Sequence, residues 1–197
     1  MNLPNIITLT RIPLMFVIVG LMYCDFIGAA SLALLVFIGA AAGDWLDGFL
    51  ARRRVLVTTF GKLMDALTDK IMVVGLVIGF VGKLEIPVWL ALITLCREFL
   101  VTGLRMVAAT RGVIVPADRG GKSKTVTQLI ALGFLLGAPM VARDWSWLLP
   151  TWSFSHFAVV VHQIGFYIFV LGTVLAVWSG WRYIAQHRDI VFSEADR

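Results

Sequence analysis

The sequence predicts an all-α integral membrane protein of six transmembrane helices, with both termini in the cytoplasm. Three observations carry this. Apolar residues make up 59% of the 197 residues and charged ones 15%, with a mean hydropathy of +0.90, which excludes an ordinary soluble domain. Several apolar runs approach the ~20 residues that cross a bilayer as a helix, and none alternates like a barrel strand. Lysine and arginine collect in alternate connections, the distribution that marks cytoplasmic loops. The chain reads as one domain over residues 1–197.

The first segment runs from Asn5 to Tyr23, and Pro13 is expected to kink it. Asn5, Thr8 and Arg11 step by three and share a broad polar face. That face either borders a polar site or lets Arg11 snorkel to the interface. Cys24-Asp25 is a short turn. Segment two spans Phe26 to Arg52, with a small-residue surface at Gly39 to Gly43. Segment three spans Thr58 to Gly82, polar on one face of its first half (Lys62, Asp65, Thr68, Asp69) and apolar thereafter.

After a turn at Lys83-Leu84-Glu85, segment four runs from Ile86 to Thr110 and holds Arg97, Glu98 and Arg105. Glu98 and Arg105 are too far apart along the helix to pair directly. Glu98 is expected to pair with a neighbouring helix, while a planar guanidinium suits phosphate oxygens. In the polar connector Arg111 to Lys124, residues Pro116, Gly120 and Gly121 are expected to break any helix. Ser123 is the expected cap of segment five, Lys124 to Val141. The stretch Gly121 to Thr125 lacks the first glycine and the preceding strand of a P-loop, so it is not an ATP site. A basic cluster at a helix N-terminus still favours an anion. Arg143 to Phe157, with three tryptophans, reads as an interfacial loop. Segment six runs from Ala158 to Ile184, and a polar tail follows. Cys24 and Cys96 read as packing residues, and His156 and His162 lack metal-ligand spacing.

The turns at 24–25, 83–85 and 143–157 hold only Lys83 and Arg143 among lysines and arginines. The opposite side carries Arg52, Arg53, Arg54, Arg111, Arg119, Lys122, Lys124, Arg182, Arg188 and Arg197. That side is therefore expected in the cytoplasm. The net charge of +5 and pI ≈ 9.6 fit cytoplasmic loops and anionic lipids or substrates better than nucleic acid.

The candidate site lies in Gly43 to Lys70. Asp44, Asp47, Asp65 and Asp69 are a third of the 12 acidic residues of the chain, and carboxylates in apolar segments are expensive unless paired, hydrated or metal-bound. Asp44 and Asp47 are i,i+3; Gly61, Asp65 and Asp69 step by four, so each helix presents a carboxylate pair on one face. Gly48, Ala51 and Gly61 leave room for close approach. Four facing carboxylates need cations, and oxygen ligands suit Mg²⁺, Mn²⁺ or Ca²⁺. Two such ions stabilise both oxygens of a phosphoryl-type displacement.

The pattern D44-x2-D47-G48-x2-A51-R52-x8-G61-x3-D65-x3-D69 resembles the full signature of the CDP-alcohol phosphotransferases. The resemblance implies Mg²⁺ or Mn²⁺, two ions, held by Asp44, Asp47, Asp65 and Asp69, with Asp69 also taking the proton of the attacking hydroxyl. It implies that Asn5, Thr8, Gly48, Ala51, Arg52 and Gly61 border a CDP-linked lipid such as CDP-diacylglycerol. The N-terminal N-L-P-N-I-I-T-L-T-R, R97-E98-F-L-V-T-G-L-R105 and G121-K-S-K124-T-V-T-Q128 resemble the branch that uses glycerol 3-phosphate as acceptor. Arg97, Arg105, Lys122 and Lys124 are then the expected phosphate pocket. Inositol phosphate, serine and phosphatidylglycerol are the rival acceptors. The resemblance also implies a homodimer in a bacterial inner membrane, surrounded by membrane lipids, with the site facing the cytoplasm. A divalent-cation transporter would use four carboxylates too, but nothing here resembles inverted repeats or paired broken helices.

Overall fold

A computed structural model describes the backbone of residues 3–51, 59–110, 119–148 and 154–186, and side chains for 10–43, 68, 70–108, 123–148 and 154–186. Every regular element among the described residues is helical. The order is α1 Leu3–Met22, α2 Ala29–Ala51, α3 Thr59–Gly82, α4 Val88–Thr110, α5 Arg119–Pro139, a π-helical turn Met140–Trp145, α6 Ser146–Leu148 and α7 Ser155–Gln186. The turn at 52–58 with Arg52, the connector 111–118 with Pro116, and the tail 187–197 lie outside the described residues.

Two helical stretches, Ser123–Leu148 and Ser155–Gln186, are long and apolar enough to cross a membrane among the described residues. Shorter apolar stretches cover Thr10–Met22, Ala29–Gly43 and Lys70–Gly82. The exterior is correspondingly apolar: Phe16, Leu35, Trp89, Phe99, Tyr167, Trp178 and Trp181 are all exposed. A water-soluble surface does not carry so continuous an apolar patch. Cys96 is exposed on this exterior rather than packed inside, and Cys24 is half-buried.

α1 packs against both α2 and α3, and α5 packs along α7, which also receives α4. Ile18, Leu76, Phe80, Leu132, Leu135 and Phe169 form the centre of the core. Where α3 meets α1 and Tyr23, it presents glycines. A Cβ on Gly75 would collide with the side chain of Met15, and one on Gly82 with the Tyr23 hydroxyl. Tyr23 instead donates to the Gly79 carbonyl at 3.0 Å. Close approach through small residues replaces the hydrophobic drive that lipid does not supply between helices. Of the expected small-residue surface, Ala40 is buried in the core, while a Cβ added at Gly39 or Gly43 would meet no described neighbour within 4 Å.

Two sequence expectations fail at the ends of α5. Gly120 and Gly121 do not break the helix, which already begins at Arg119. Glycine weakens a helix by only about 1 kcal/mol relative to alanine, and packing of α5 on α7 outweighs that. Ser123 therefore lies inside the helix, not at its cap, and its carbonyl accepts the Thr127 hydroxyl at 2.9 Å. At the far end, residues 143–148 are not loop but continue as the π turn and α6. Pro139 lacks an N–H and crowds the preceding carbonyl, which disturbs the ordinary ladder. The turn brings Asp144 to the start of α2, where its carboxylate accepts Gly28 N at 3.0 Å, Ser31 N at 2.8 Å and the Ser31 hydroxyl. α7 likewise starts three residues earlier than expected, at Ser155.

Candidate functional site

The described backbone puts Asp44 and Asp47 in the last third of α2, and Asp65 and Asp69 in the first half of α3. Both spacings are therefore helical, as expected. Residues 52–58 join the two helix ends, so all four aspartates belong to the same end of the bundle. At 1.5 Å per residue, Asp44 sits ~10 Å in from Ala51 and Asp69 ~15 Å in from Thr59. The side chains of Asn5, Thr8, Asp44, Asp47, Gly48, Ala51, Gly61, Asp65, Asp69 and Lys122 lie outside the described residues. Among the described ones no group of three ligating side chains is found. Four carboxylates on two adjoining helix ends are a donor set that suits a hard divalent cation.

Arg11 does not snorkel. It is 3% exposed and has an interaction partner.

The described part of the site is a polar stack between α4, α5 and α7. At its deepest level the Thr94 and Thr173 hydroxyls lie 3.0 Å apart, so that one donates to the other, which in turn donates to its own helix's i−4 carbonyl. Gln128 lies nearby, 2% exposed, with its side chain against Gly172. One turn toward the aspartate end, Arg97 donates from Nε to the Ala176 carbonyl at 2.8 Å, from Nη2 to Ser179, and from Nη1 to Glu98 at 3.2 Å. Lys124, four residues before Gln128 on α5 and 4% exposed, forms an ion pair with Glu98. Glu98 thus does pair with a neighbouring helix, as its sequence position suggested. Two turns further along α4, Arg105 stacks over the Tyr183 ring at 5.4 Å.

Three of the four residues expected to bind phosphate are thus described, and all three line this stack. Their roles differ. Arg97 is committed to protein partners at all three guanidinium nitrogens named above, so it contributes charge and position. Lys124 and Arg105 keep the more adaptable roles. The sequence reading missed Lys70, whose ammonium reaches the Thr102 hydroxyl. Thr102 in turn donates to the Glu98 carbonyl at 2.7 Å. A lysine next to Asp69 in an otherwise apolar half-helix was the available signal. Lys70 ties the helix of Asp65 and Asp69 to the helix of Arg97 and Glu98. Among the described residues of the stack, four cations (Lys70, Arg97, Arg105, Lys124) stand against one carboxylate, Glu98. Arg97 feels Arg105, and Lys124 feels both Arg97 and Lys70. A cluster of cations attracts a multiply charged anion.

Known proteins resemble the chain over most of its length. The family profile described as CDP-alcohol phosphatidyltransferase matches residues 1–181. A Bacillus subtilis (strain 168) protein named CDP-diacylglycerol–glycerol-3-phosphate 3-phosphatidyltransferase is 35% identical over 198 aligned residues, covering 94% of this chain and 95% of that one. A Rickettsia typhi protein of the same name is 41% identical over 135 residues, 68% of this chain and 76% of that one. A Mycobacterium tuberculosis protein named probable phosphatidylglycerophosphate synthase is 34% identical over 193 residues, 96% of this chain and 83% of that one.

Proposed function

The chain belongs to the CDP-alcohol phosphatidyltransferase family, and from that premise we propose that it transfers the phosphatidyl group of CDP-diacylglycerol to glycerol 3-phosphate. The products are phosphatidylglycerophosphate and CMP, which places the enzyme in anionic phospholipid synthesis. The observation that carries a phosphorylated acceptor is the cationic stack of α4, α5 and α7. A dianionic acceptor matches its charge, and a neutral alcohol such as serine does not. The printed names of the relatives point to the same pair of substrates.

Asp44, Asp47, Asp65 and Asp69 are the residues that would hold two divalent ions, Mg²⁺ or Mn²⁺. When bound, such ions neutralise the pyrophosphate and the departing CMP oxygen. The chain's own groups do the rest. Asn5, Thr8, Gly48, Ala51, Arg52 and Gly61 border the CDP-lipid, the three small residues by leaving room for the nucleotide. Lys122, Lys124 and Arg105 hold the acceptor phosphate, and Arg97 fixes the geometry of Glu98 beside them. The acceptor hydroxyl attacks the phosphatidyl phosphorus, the bond from that phosphorus to the CMP oxygen breaks, and Asp69 takes the hydroxyl proton. Orientation of the two substrates supplies most of the acceleration, since a carboxylate is a weak base.

Six membrane-crossing helices, α1 to α5 and α7, account for the apolar exterior and put the aspartates and the basic connectors on one side. Positive-inside makes that side cytoplasmic, the side on which glycerol 3-phosphate is dissolved, and the membrane is then a bacterial inner membrane. A homodimer is the expected assembly.

The test is CMP release by the purified protein given CDP-diacylglycerol, Mg²⁺ or Mn²⁺, and glycerol 3-phosphate, with inositol phosphate, serine and phosphatidylglycerol as rivals. Release stimulated by glycerol 3-phosphate, with the lipid product formed and activity lost on chelation, is expected. Release driven by a rival alone refutes the acceptor assignment, and release unaffected by chelation refutes the metal assignment.

A further inference from the structure

Lys124 reaches its buried position already paired. Glu98 neutralises it, and the same Glu98 oxygen accepts Arg97 Nη1 at 3.2 Å. Arg97 is held in place independently of Glu98. It is anchored to α7 through Ala176 and Ser179, and a Cβ on Gly180 would come within 3.2 Å of its Cγ. Two more donors of the stack, Arg105 Nε and Gln128 Nε2, are buried without an acceptor among the described residues. A buried N–H left unpaired is costly and calls for a partner. Among the described residues the Glu98 carboxylate serves Arg97 and Lys124. A phosphate monoester, with three terminal oxygens, offers more acceptor sites. Glu98 is also the more accessible member of its pair, with 13% side-chain exposure against 5% for Lys124, so it is the partner that can turn outward.

We propose that Glu98 is an exchangeable internal counter-ion, neutralising Lys124 before the acceptor binds and yielding it to the acceptor's phosphate. This rests on the glycerol 3-phosphate reading and deepens it, because it makes Glu98 a specificity-determining residue. A neutral hydroxyl compound cannot displace a carboxylate from an ammonium, whereas a dianion can. Glu98 thereby lowers affinity for the right acceptor somewhat and excludes wrong ones more strongly, discrimination by an element that opposes binding. Once displaced, the carboxylate still repels the bound dianion and speeds release of the phosphorylated lipid product.

The experiment compares full-length wild type, Glu98→Gln and Glu98→Asp in detergent micelles. It reads KM and kcat for glycerol 3-phosphate, and thermal stability against added inorganic phosphate. Glu98→Gln is expected to lower KM about 3- to 10-fold, the equivalent of losing one partly screened competing charge, with kcat unchanged or reduced. Its stability without phosphate is expected to fall and to recover with inorganic phosphate over a lower concentration range than wild type needs. Glu98→Asp, which keeps the charge on a shorter arm, is expected to lie between the two. If Glu98→Gln does not fold, a lowered KM in Glu98→Asp carries the proposal, and an unchanged or raised KM there overturns it. A raised KM in Glu98→Gln, with no gain in the phosphate response, overturns the proposal and makes Glu98 a fixed positioner of Lys124. Should wild type release no CMP with glycerol 3-phosphate, the proposed function fails on that result alone. The phosphate titrations still decide the counter-ion exchange, and an identical response in wild type and Glu98→Gln overturns it.

Discussion

Replacing Arg97 by lysine separates two roles that its sequence position leaves mixed. The guanidinium binds α7 twice, through Nε to the Ala176 carbonyl at 2.8 Å and through Nη2 to Ser179, while Nη1 holds Glu98. A lysine ammonium keeps the charge but cannot reproduce this planar fork. Hydrogen bonds from a charged group contribute about 1.5–3 kcal/mol each, and lysine can retain one of the two bonds to α7. The expected net loss is about 2 kcal/mol, a fall in Tm of roughly 5 °C for a chain of this size. Because the α4–α7 contact sets where Glu98 and Lys124 meet, KM for glycerol 3-phosphate is expected to move only about twofold, within the range of a relaxed ion pair. The assay is thermal inactivation of purified protein in micelles, followed by KM and kcat at a temperature where both proteins are folded. A variant with wild-type Tm and a tenfold or greater rise in KM refutes the reasoning, since it would make Arg97 a direct phosphate ligand rather than an anchor.

Asp69→Asn is expected to lower CMP release at least about 100-fold, the scale of a lost proton acceptor, while CDP-diacylglycerol still binds in the presence of divalent metal; near-normal turnover removes Asp69 as the base. Glu85, in the turn between α3 and α4, has its pKa raised by burial, partly offset by Lys83 and His162, whose Nε2 is 3.7 Å away. A raised carboxyl pKa means stability that is full below the ordinary glutamate value of 4.5 and is lost as pH rises through the folded value. Glu85→Gln should therefore gain stability relative to wild type between acidic and neutral pH, with the gain vanishing at the acid end. Thermal melts across that range check this, and a variant that loses most stability at neutral pH contradicts it.

Much of the architecture was legible because helices in lipid must satisfy their own backbone and must be apolar outside. The starts and ends of α1, α2, α3 and α4 fall within three residues of the apolar runs, since composition changes sharply there. Reading failed where local signals opposed packing. Gly120 and Gly121 look like breakers, yet they lie in α5. Arg143 to Trp147 looks like loop, yet the helix continues past Pro139 in π form and delivers Asp144 to α2. For Arg11 the sequence left two readings open, and its burial excludes the interfacial one.

The candidate site divides in the same way. The four aspartates were singled out by sequence because i,i+3 and i,i+4 spacing is a local property of one helix, and because carboxylates in apolar runs are conspicuous. That family signature and the charge asymmetry of the loops are determined by sequence alone. Which residue answers which across helices is a long-range property. Only the tertiary structure showed that Arg97 is fixed to Ala176 and Ser179 on α7, that Lys124 meets Glu98, and that Lys70 reaches Thr102. Those partners are 26 to 82 positions apart in the chain. Spacing along one helix carries no information about them, because the way α5 and α7 pack determines which side chains share a buried space.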